Sequence, residues 1–295
     1  MNSKTPADFA PQVLRLFDQY VHGLITRQDF LRDAAPFAPP GGSAETLLED
    51  LNPRFAEARQ VAPDDARIRA RMLEYPSPRG HGRMGGYLVE PVAGGDLLPA
   101  VLVVHENRGL NPHIEDVARR LALEGFIVLA PDALYPLGGY PGGEDRAREM
   151  FATLDQARCR EDFIDALEVL RAHPRCHGKV GVTGFCYGGR IVNFLATRVP
   201  DLGAAVPFYG AEPPLADVPQ IQAPLQIHLA DKDERINTGW PAYQAALEAA
   251  RIAYEIHHYP GTEHGFNNNT TPRFDPRAAA LAWGRTVDFL RQHLG

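Results

Sequence analysis

The sequence lacks long apolar runs, an excess of positive charge and all but a few cysteines. No segment reaches the roughly 18 consecutive apolar residues of a membrane span, and the first 30 residues contain charges where a signal peptide has an apolar core. Its 30 basic and 37 acidic residues give a net charge of −7, whereas nucleic-acid binders are usually basic. Three cysteines without a CxxC pair are too few for a disulfide scaffold. We therefore expect a cytoplasmic protein without membrane or nucleic-acid partners.

The 295 residues divide into two parts with different patterns, predicted as a helical extension over 1–66 and an α/β domain over 67–295. Apolar residues in the first part recur at helical spacing: Val13, Leu16, Phe17, Tyr20 and Val21. Thr26 with Asp29 is typical of a helix N-terminus, prolines and glycines interrupt at 39–42, and a further helix is predicted over 44–58. The apolar face of these helices must be buried, so the extension could cover the site as a lid, pack beside the domain or form a homodimer.

From residue 67 onward, short apolar runs alternate with helical patterns, as in a mostly parallel sheet with helices on both faces. We predict eight strands, at 68–74, 86–91, 100–105, 126–130, 179–183, 204–208, 225–229 and 254–258. We predict helices at 113–124, 146–154, 161–172, 187–199, 241–251 and 277–294. Ligands of such sheets bind beyond the carboxyl ends of the strands, so candidate site residues are sought there.

Cys186 follows the predicted strand 179–183 in a G-x-C-x-G sequence that leads into a helix. This pattern matches the G-x-S-x-G nucleophile elbow, in which flanking glycines allow a sharp turn that raises the nucleophile above the sheet. The helix N-terminus also favours a thiolate. The alternative, a buried and inert cysteine, is the better interpretation for Cys159 and Cys176, which lie in no such turn.

An elbow of this kind predicts an acid and then a histidine, each in a loop after a later strand. Asp233 and His264 occur in that order, and we predict them as the orienting acid and the base. Asp231 and Glu234 are alternatives for the acid. The other candidate histidines alternate within a predicted strand and are interpreted as structural: His257 and His258.

The oxyanion hole of this architecture uses two backbone N–H groups. One belongs to the residue after the nucleophile, here Tyr187, and the other to a loop after an earlier strand, where we predict Asn107.

Together these segments resemble the dienelactone hydrolase family, whose members have the α/β-hydrolase fold and a cysteine nucleophile. The matching segments begin at residues 105, 130, 179, 208 and 264: HENRG, APD, KVG followed by GFCYGG, FYG, and HGF. They span about residues 68–295, and the N-terminal helices are similar to those of one subgroup of the family.

The resemblance implies that Glu106 contacts the cysteine and helps control its ionisation, and that Tyr209 lies in the site. The family's substrate-carboxylate arginines have no clear match, because asparagines follow the HGF segment, and Arg108, Arg146 or Arg148 could replace them. We select Arg108 and Arg148, with Tyr209, as substrate-binding candidates.

The expected function is cysteine-dependent hydrolysis of a small lactone or ester, of the carboxymethylenebutenolidase type, without a metal or another cofactor. Alternatives are a broad carboxylesterase or thioesterase, and a non-catalytic thiol sensor on the same fold.

Overall fold

Four α-helices precede the first strand in the computed structural model, which describes residues 4–295. They are α1 (Pro11–Val21), α2 (Arg27–Ala34), α3 (Ala44–Leu51) and α4 (Phe55–Ala58). The predicted N-terminus of α2 is confirmed, because the Thr26 hydroxyl accepts a hydrogen bond from the Asp29 N–H at 3.1 Å and the Asp29 carboxylate accepts one from the Thr26 N–H at 3.0 Å. These two reciprocal hydrogen bonds give partners to the backbone N–H groups of Thr26 and Asp29, which have none within the helix.

The single helix predicted over 44–58 is wrong. The helix ends at Leu51, and a short one resumes at Phe55. Asn52 is extended, with ψ of 149°, because Pro53 follows it. The proline ring disfavours the helical conformation of the preceding residue and supplies no N–H for a helical hydrogen bond.

The apolar face of the N-terminal helices is buried within the extension, in a cluster of its own. The fully buried members include Val13, Phe30, Ala34 and Leu51. Backbone and side-chain hydrogen bonds then join these helices to the α/β part. The Arg54 N–H donates to the Thr270 carbonyl at 2.8 Å, and Asn269 Nδ2 donates to the Ala58 carbonyl at 2.7 Å.

The α/β part contains one eight-stranded sheet in the order β1-β2-β4-β3-β5-β6-β7-β8. The strands are β1 (Ile68–Ser77), β2 (Gly82–Pro91), β3 (Leu98–Val104), β4 (Ile127–Pro131), β5 (Cys176–Phe185), β6 (Ala204–Phe208), β7 (Leu225–Ala230) and β8 (Tyr254–Tyr259). β1 pairs with β2, and β2 with β4, in antiparallel fashion, while the remaining pairs are parallel. The predicted mostly parallel eight-stranded sheet is therefore confirmed.

Helices cover both faces of this sheet. They are α5 (Pro112–Leu123), α6 (Glu144–Ala152), α7 (Gln156–Arg171), α8 (Tyr187–Arg198), α9 (Glu234–Asn237), α10 (Trp240–Ala249) and α11 (Pro276–Leu294). α6, α7, α8 and α10 bury apolar residues on one face, and α5 and α11 on the other. Within residues 4–295, no helix has the length and apolar character needed to cross a membrane. The parallel strands β3, β5, β6 and β7 end at one edge, where the candidate site lies.

Candidate active site

Cys186 lies in a sharp turn between β5 and α8, with a φ of +57°. Its N–H donates to the Phe208 carbonyl of the neighbouring strand at 3.0 Å. A Cβ on Gly184 would come within 2.6 Å of the Gly188 backbone, and one on Gly188 would collide with the Val104 carbonyl. The two flanking glycines therefore allow α8 to approach the sheet closely, which holds Cys186 at the strand ends.

Asp233 and His264 lie together at the same edge, in the loops after β7 and β8. His264 Nδ1–H donates to Asp233 Oδ2 at 2.5 Å, and both side chains are buried. The alternative acids lie elsewhere, since Asp231 accepts a hydrogen bond from the Gly261 N–H and both Asp231 and Glu234 are exposed. Of the three acids, the structure thus brings Asp233 into contact with the imidazole.

The electrostatics of this pair keep a proton on His264. Burial lowers its basicity, but the Asp233 carboxylate and the sulfur of Cys186 outweigh it and raise the pKa of His264 to about 10. Burial likewise opposes ionisation of Asp233, yet the adjacent imidazole lowers the pKa of that carboxyl. The Nε2 atom of His264 is buried and has no hydrogen-bond partner among the described residues, so it is available for a reacting group.

A second imidazole, that of His22, contacts the cysteine and was missed by the sequence analysis. His22 follows the last residue of α1, and its Nε2 lies 3.2 Å from Cys186 Sγ. Its ring meets that of His264 edge-on, with centroids 4.8 Å apart. The N-terminal extension therefore contributes a side chain to the site, and no motif in the sequence marks it.

Both imidazoles act on the ionisation of the thiol. Burial raises the pKa of Cys186, but the neighbouring His22 and His264 outweigh this effect and lower the pKa of the thiol well below its ordinary value. The pKa of His22 is in turn raised, against the effect of burial, by the cysteine and Asp18. Cys186 is thus held as a thiolate, the nucleophilic form of cysteine.

The loop after β3 lies against the elbow, because Gly188 packs on the backbone of Val104 and His105. Asn107, one predicted oxyanion-hole residue, lines the same cleft as Cys186, and Tyr187, the other, follows Cys186 as the first residue of α8. The Asn107 side chain donates to the Val21 carbonyl at 2.8 Å, and so ties the end of α1 to this loop.

Glu106 lines one cleft together with Cys186 and His264, but it is not the hydrogen-bond partner of the cysteine. Its carboxylate accepts a hydrogen bond from Asn268 Nδ2 at 3.1 Å. Among the described residues, the hydrogen bond to Cys186 Sγ comes from His22 instead. The expected influence of Glu106 on the cysteine stays a prediction, and the hydrogen-bond partner of Sγ among the described residues is a histidine of the extension.

The predicted substrate-binding residues all lie at the site, but two of them are already paired. Arg108 Nε forms a buried ion pair with Glu144 at 2.8 Å. Arg148 stacks on the ring of Tyr20, 3.8 Å from its centroid. Tyr209 is buried with its ring centroid 4.8 Å from that of His264, and its hydroxyl has no partner among the described residues.

Cys186, His264, His22, Glu106 and the two arginines line one cleft that opens to solvent. Its lining includes further charged side chains that were not predicted: Asp145 and Arg273. Arg273 lies 3.4 Å from Asp18, the residue that holds His22. The extension therefore bounds this cleft on one side, and the strand ends bound it on the other.

Among residues 4–295, two groups of side chains could hold a metal ion. The donor atoms of His22, Cys186 and His264 lie within 4.8 Å of one another, a set that suits zinc. However, Arg235 Nη2 lies 3.0 Å from His22 Nε2 and 3.4 Å from His264 Nδ1, and this positive charge disfavours a cation.

The second group comprises His81, Cys159 and Asp162. Burial raises the pKa of the Cys159 thiol to about 12, which disfavours the thiolate that a metal requires. The expectation that the protein needs no metal stays a prediction.

Comparisons with known proteins follow the division of the chain. A model described as dienelactone hydrolase family matches residues 84–294, and one described as YqhI-like matches residues 1–38. The "Putative carboxymethylenebutenolidase" of Synechocystis sp. is 31% identical over 74% of this chain and 95% of its own. The "Probable 2-oxo-3-(5-oxofuran-2-ylidene)propanoate lactonase" of Bradyrhizobium sp. is 33% identical over 73% and 91% of the two chains.

A solved structure is similar in fold as well. The "Putative Dienelactone Hydrolase" of Klebsiella pneumoniae has a TM-score of 0.67 and 28% identity, and the match covers 76% of this chain and 99% of that one.

Proposed function

Because the chain belongs to the dienelactone hydrolase family and is a hydrolase of ester or lactone bonds, we propose that it acts through a covalent acyl intermediate on Cys186. The observation that supports this proposal is the thiolate of Cys186 at a strained elbow, beside the Asp233–His264 pair. Nucleophile, base and orienting acid then lie within reach of one cavity.

In the proposed first half-reaction, Cys186 Sγ forms a bond with the substrate carbonyl carbon. The negative charge that develops on the carbonyl oxygen is stabilised by the N–H groups of Asn107 and Tyr187. When the intermediate collapses, the C–O bond to the leaving group breaks, and the leaving oxygen takes the proton from His264 Nε2. Asp233 keeps the imidazole in the orientation that this transfer requires.

In the second half-reaction, water loses a proton to an imidazole and its oxygen bonds to the acyl carbon. The C–S bond breaks, the acid product leaves, and the thiolate returns to its position beside the imidazoles. Because a thiolate is itself a good leaving group, cysteine suits esters and lactones with stable alkoxide or enolate leaving groups better than amides. A similar protein named as a lactonase is consistent with this substrate class.

Hydrolysis of a short-chain p-nitrophenyl ester and of a dienelactone tests the proposal. Wild-type protein, Cys186→Ala and a sample blocked with iodoacetamide are compared, with Cys176→Ala as the control for the other partly exposed cysteine. We expect loss of Cys186 or its alkylation to lower turnover by at least about 10³-fold, and Cys176→Ala to leave it unchanged.

The ratio of the two substrates then distinguishes a lactonase from a broad carboxylesterase or thioesterase. Activity that survives in Cys186→Ala would refute the assignment of the nucleophile. Rapid alkylation without turnover of any substrate would favour the thiol sensor.

A cytoplasmic location and a homodimer through the N-terminal helices stay predictions. The apolar cluster of the extension is buried within one chain, which leaves dimerisation without a structural requirement. Light scattering of the purified protein measures the oligomeric state directly.

A further inference from the structure

The site contains two histidines that are held in the same way. His264 Nδ1 is fixed by the Asp233 carboxylate at 2.5 Å. His22 Nδ1–H donates to the Asp18 backbone carbonyl at 2.7 Å, with the Asp18 carboxylate 3.3 Å away. In both rings the bond at Nδ1 directs Nε2 toward the cavity, so two imidazoles face one sulfur.

The position of His22 is set by several contacts around the end of α1. The preceding carbonyl, that of Val21, accepts a hydrogen bond from Asn107 in the oxyanion loop at 2.8 Å. The Tyr20 hydroxyl donates to Asp145 at 2.5 Å, and Arg273 stacks on the ring of Phe17. The imidazole is itself nearly buried, with 11% of its side chain exposed. Its place beside the sulfur is therefore built into the fold.

The hydrogen bonds also indicate which nitrogen of His22 is free to accept a proton. Because Nδ1 donates to a carbonyl, the lone pair of a neutral ring lies on Nε2. Arg235 Nη2, a donor, lies 3.0 Å from that Nε2. In the resting site His22 donates from Nε2 to the thiolate, and it loses this proton to solvent once acylation removes the negative charge of the sulfur. Its Nε2 is then the nitrogen that can accept a proton.

From this geometry we infer that His22 is a second catalytic residue, a general base supplied by the N-terminal extension that activates water when the acyl group leaves Cys186. The inference rests on the proposed hydrolysis at Cys186. His264 gives its proton to the first leaving group and is then neutral. His22 Nε2 removes a proton from water, the water oxygen bonds to the acyl carbon, and the C–S bond breaks to release acid and thiolate. His22 thereby regains its proton, and the acid product gives its own proton to His264, which restores the resting site.

Charged and titratable groups from several elements face His22 in this arrangement. They are Asp18 of α1, Cys186 of the elbow, Arg235 of α9, His264 of the loop after β8, and Glu106 and Arg273 of the cavity wall. The two basic side chains stabilise the Asp18 carboxylate, which lies within 3.9 Å of Arg235 and 3.4 Å of Arg273.

The experiment compares His22→Gln with wild-type full-length protein in stopped-flow hydrolysis of a p-nitrophenyl ester. Because His22 also lowers the pKa of Cys186, each rate is divided by the thiolate fraction that the iodoacetamide rate of the same variant gives. Slower removal of the acyl group then lowers kcat but leaves acylation, and thus kcat/KM, nearly intact. We expect kcat to fall about 10- to 100-fold, with kcat/KM within about 3-fold of wild type. A burst of p-nitrophenol equal to the enzyme concentration, and the added acyl mass on Cys186, would accompany this change.

Gln19→Ala, an exposed position on the same helix, is the matched control and keeps wild-type kinetics. If His22→Gln melts at a lower temperature, Asp18→Asn is used instead, since it retains the imidazole and loosens its orientation, with a smaller burst phase expected.

An equal fall of kcat and kcat/KM without a burst, or unchanged kinetics, would overturn the role of His22. In either case, loss of activity in Cys186→Ala would leave the proposed function standing, whereas activity in that variant would remove both.

Discussion

The backbone of Cys186 adopts a conformation that side chains rarely take, with φ of +57°. This strain costs on the order of 1–3 kcal/mol, which the hydrogen bond of its N–H to Phe208 and the close packing of α8 offset. The strained turn places the sulfur at the start of a helix and beside two imidazoles. All three features favour the thiolate.

Alkylation of Cys186 should therefore depend little on pH. An ordinary thiol of pKa near 8.5 gains roughly 50-fold in thiolate between pH 6.5 and 8.5, and its alkylation rate rises accordingly. Since its neighbours lower the pKa of Cys186, we expect its rate with iodoacetamide to change less than about 2-fold over that range. Peptide mass spectrometry after timed quenching measures the rate at this cysteine, with glutathione as the reference. A 10-fold or steeper rise would show that Cys186 is an ordinary thiol.

The chain order of elbow, acid and histidine placed the acid in the loop after β7, where Asp233 was predicted and Asp231 and Glu234 stayed alternatives. Each of these side chains follows a strand, and parallel strands bring such positions to one edge of the sheet. His22 could not be selected in this way, since it lies 164 residues from Cys186. It follows α1, which precedes all the strands, so the order of the strands does not determine its position. Its role depends on where α1 docks.

The close approach of α8 to the sheet depends on glycine. Gly188→Ala would place a methyl group against the Val104 carbonyl, a backbone atom that cannot move without shifting β3. We expect the free energy of unfolding of this variant to be lower by about 3 kcal/mol or more, and its Cys186 to be alkylated more slowly. Urea unfolding and the alkylation assay measure the two effects.

Gly284→Ala provides the matched control, because this glycine lies in α11 with nothing within 4 Å of the added methyl. Alanine is the better helix former, so the control should gain about 0.5–1 kcal/mol. Equal stability of the two variants would show that α8 can move away from the strand at little cost.

Helix boundaries show which local signals the sequence carries clearly. The Thr26–Asp29 pattern correctly marked the start of α2, because both hydrogen-bond partners lie within one turn. The start of α7 was predicted five residues late, at 161 instead of Gln156, although Asp155 accepts hydrogen bonds from the N–H groups of Ala157 and Arg158. Pro53 was also a local signal for a helix end, but the helical pattern on both sides of it led to the prediction of one continuous helix over 44–58.

Buried neutral histidines make the whole molecule sensitive to acid. Burial lowers the pKa of His113 to about 4, below the value near 6.5 of an unfolded chain. Between these values the unfolded chain binds more protons, so the free energy of unfolding falls as the pH is lowered. The contribution of His113 is complete above about pH 6.5 and is lost as the pH approaches 4.

His113→Leu removes this titration. We expect its free energy of unfolding to fall less steeply than that of wild type between pH 6 and 4.5, by about 1 kcal/mol per pH unit. Urea unfolding at a series of pH values gives the slopes, and His177→Leu, at an exposed position, serves as the control. Parallel curves for His113→Leu and wild type would contradict the assignment of a neutral buried imidazole.

The linear sequence was sufficient for the eight-stranded sheet, for the helices that cover it apart from some of their ends, and for the loops in which the elbow, the acid and His264 lie. Each of these follows from short-range patterns: apolar period, turn glycines and side chains that end consecutive strands. These patterns determine structure because the loops that follow parallel strands all lie at the carboxyl ends of those strands.

The docking of the N-terminal helices, by contrast, was decided only by the folded molecule. Their apolar face is satisfied within the extension, so hydrophobicity does not specify where they attach. Hydrogen bonds and ion pairs between distant residues do so instead, among them Asn107 with Val21 and Arg273 with Asp18. Such polar contacts have no period and no fixed spacing, and for this reason the histidine that they carry to Cys186 is visible only in three dimensions.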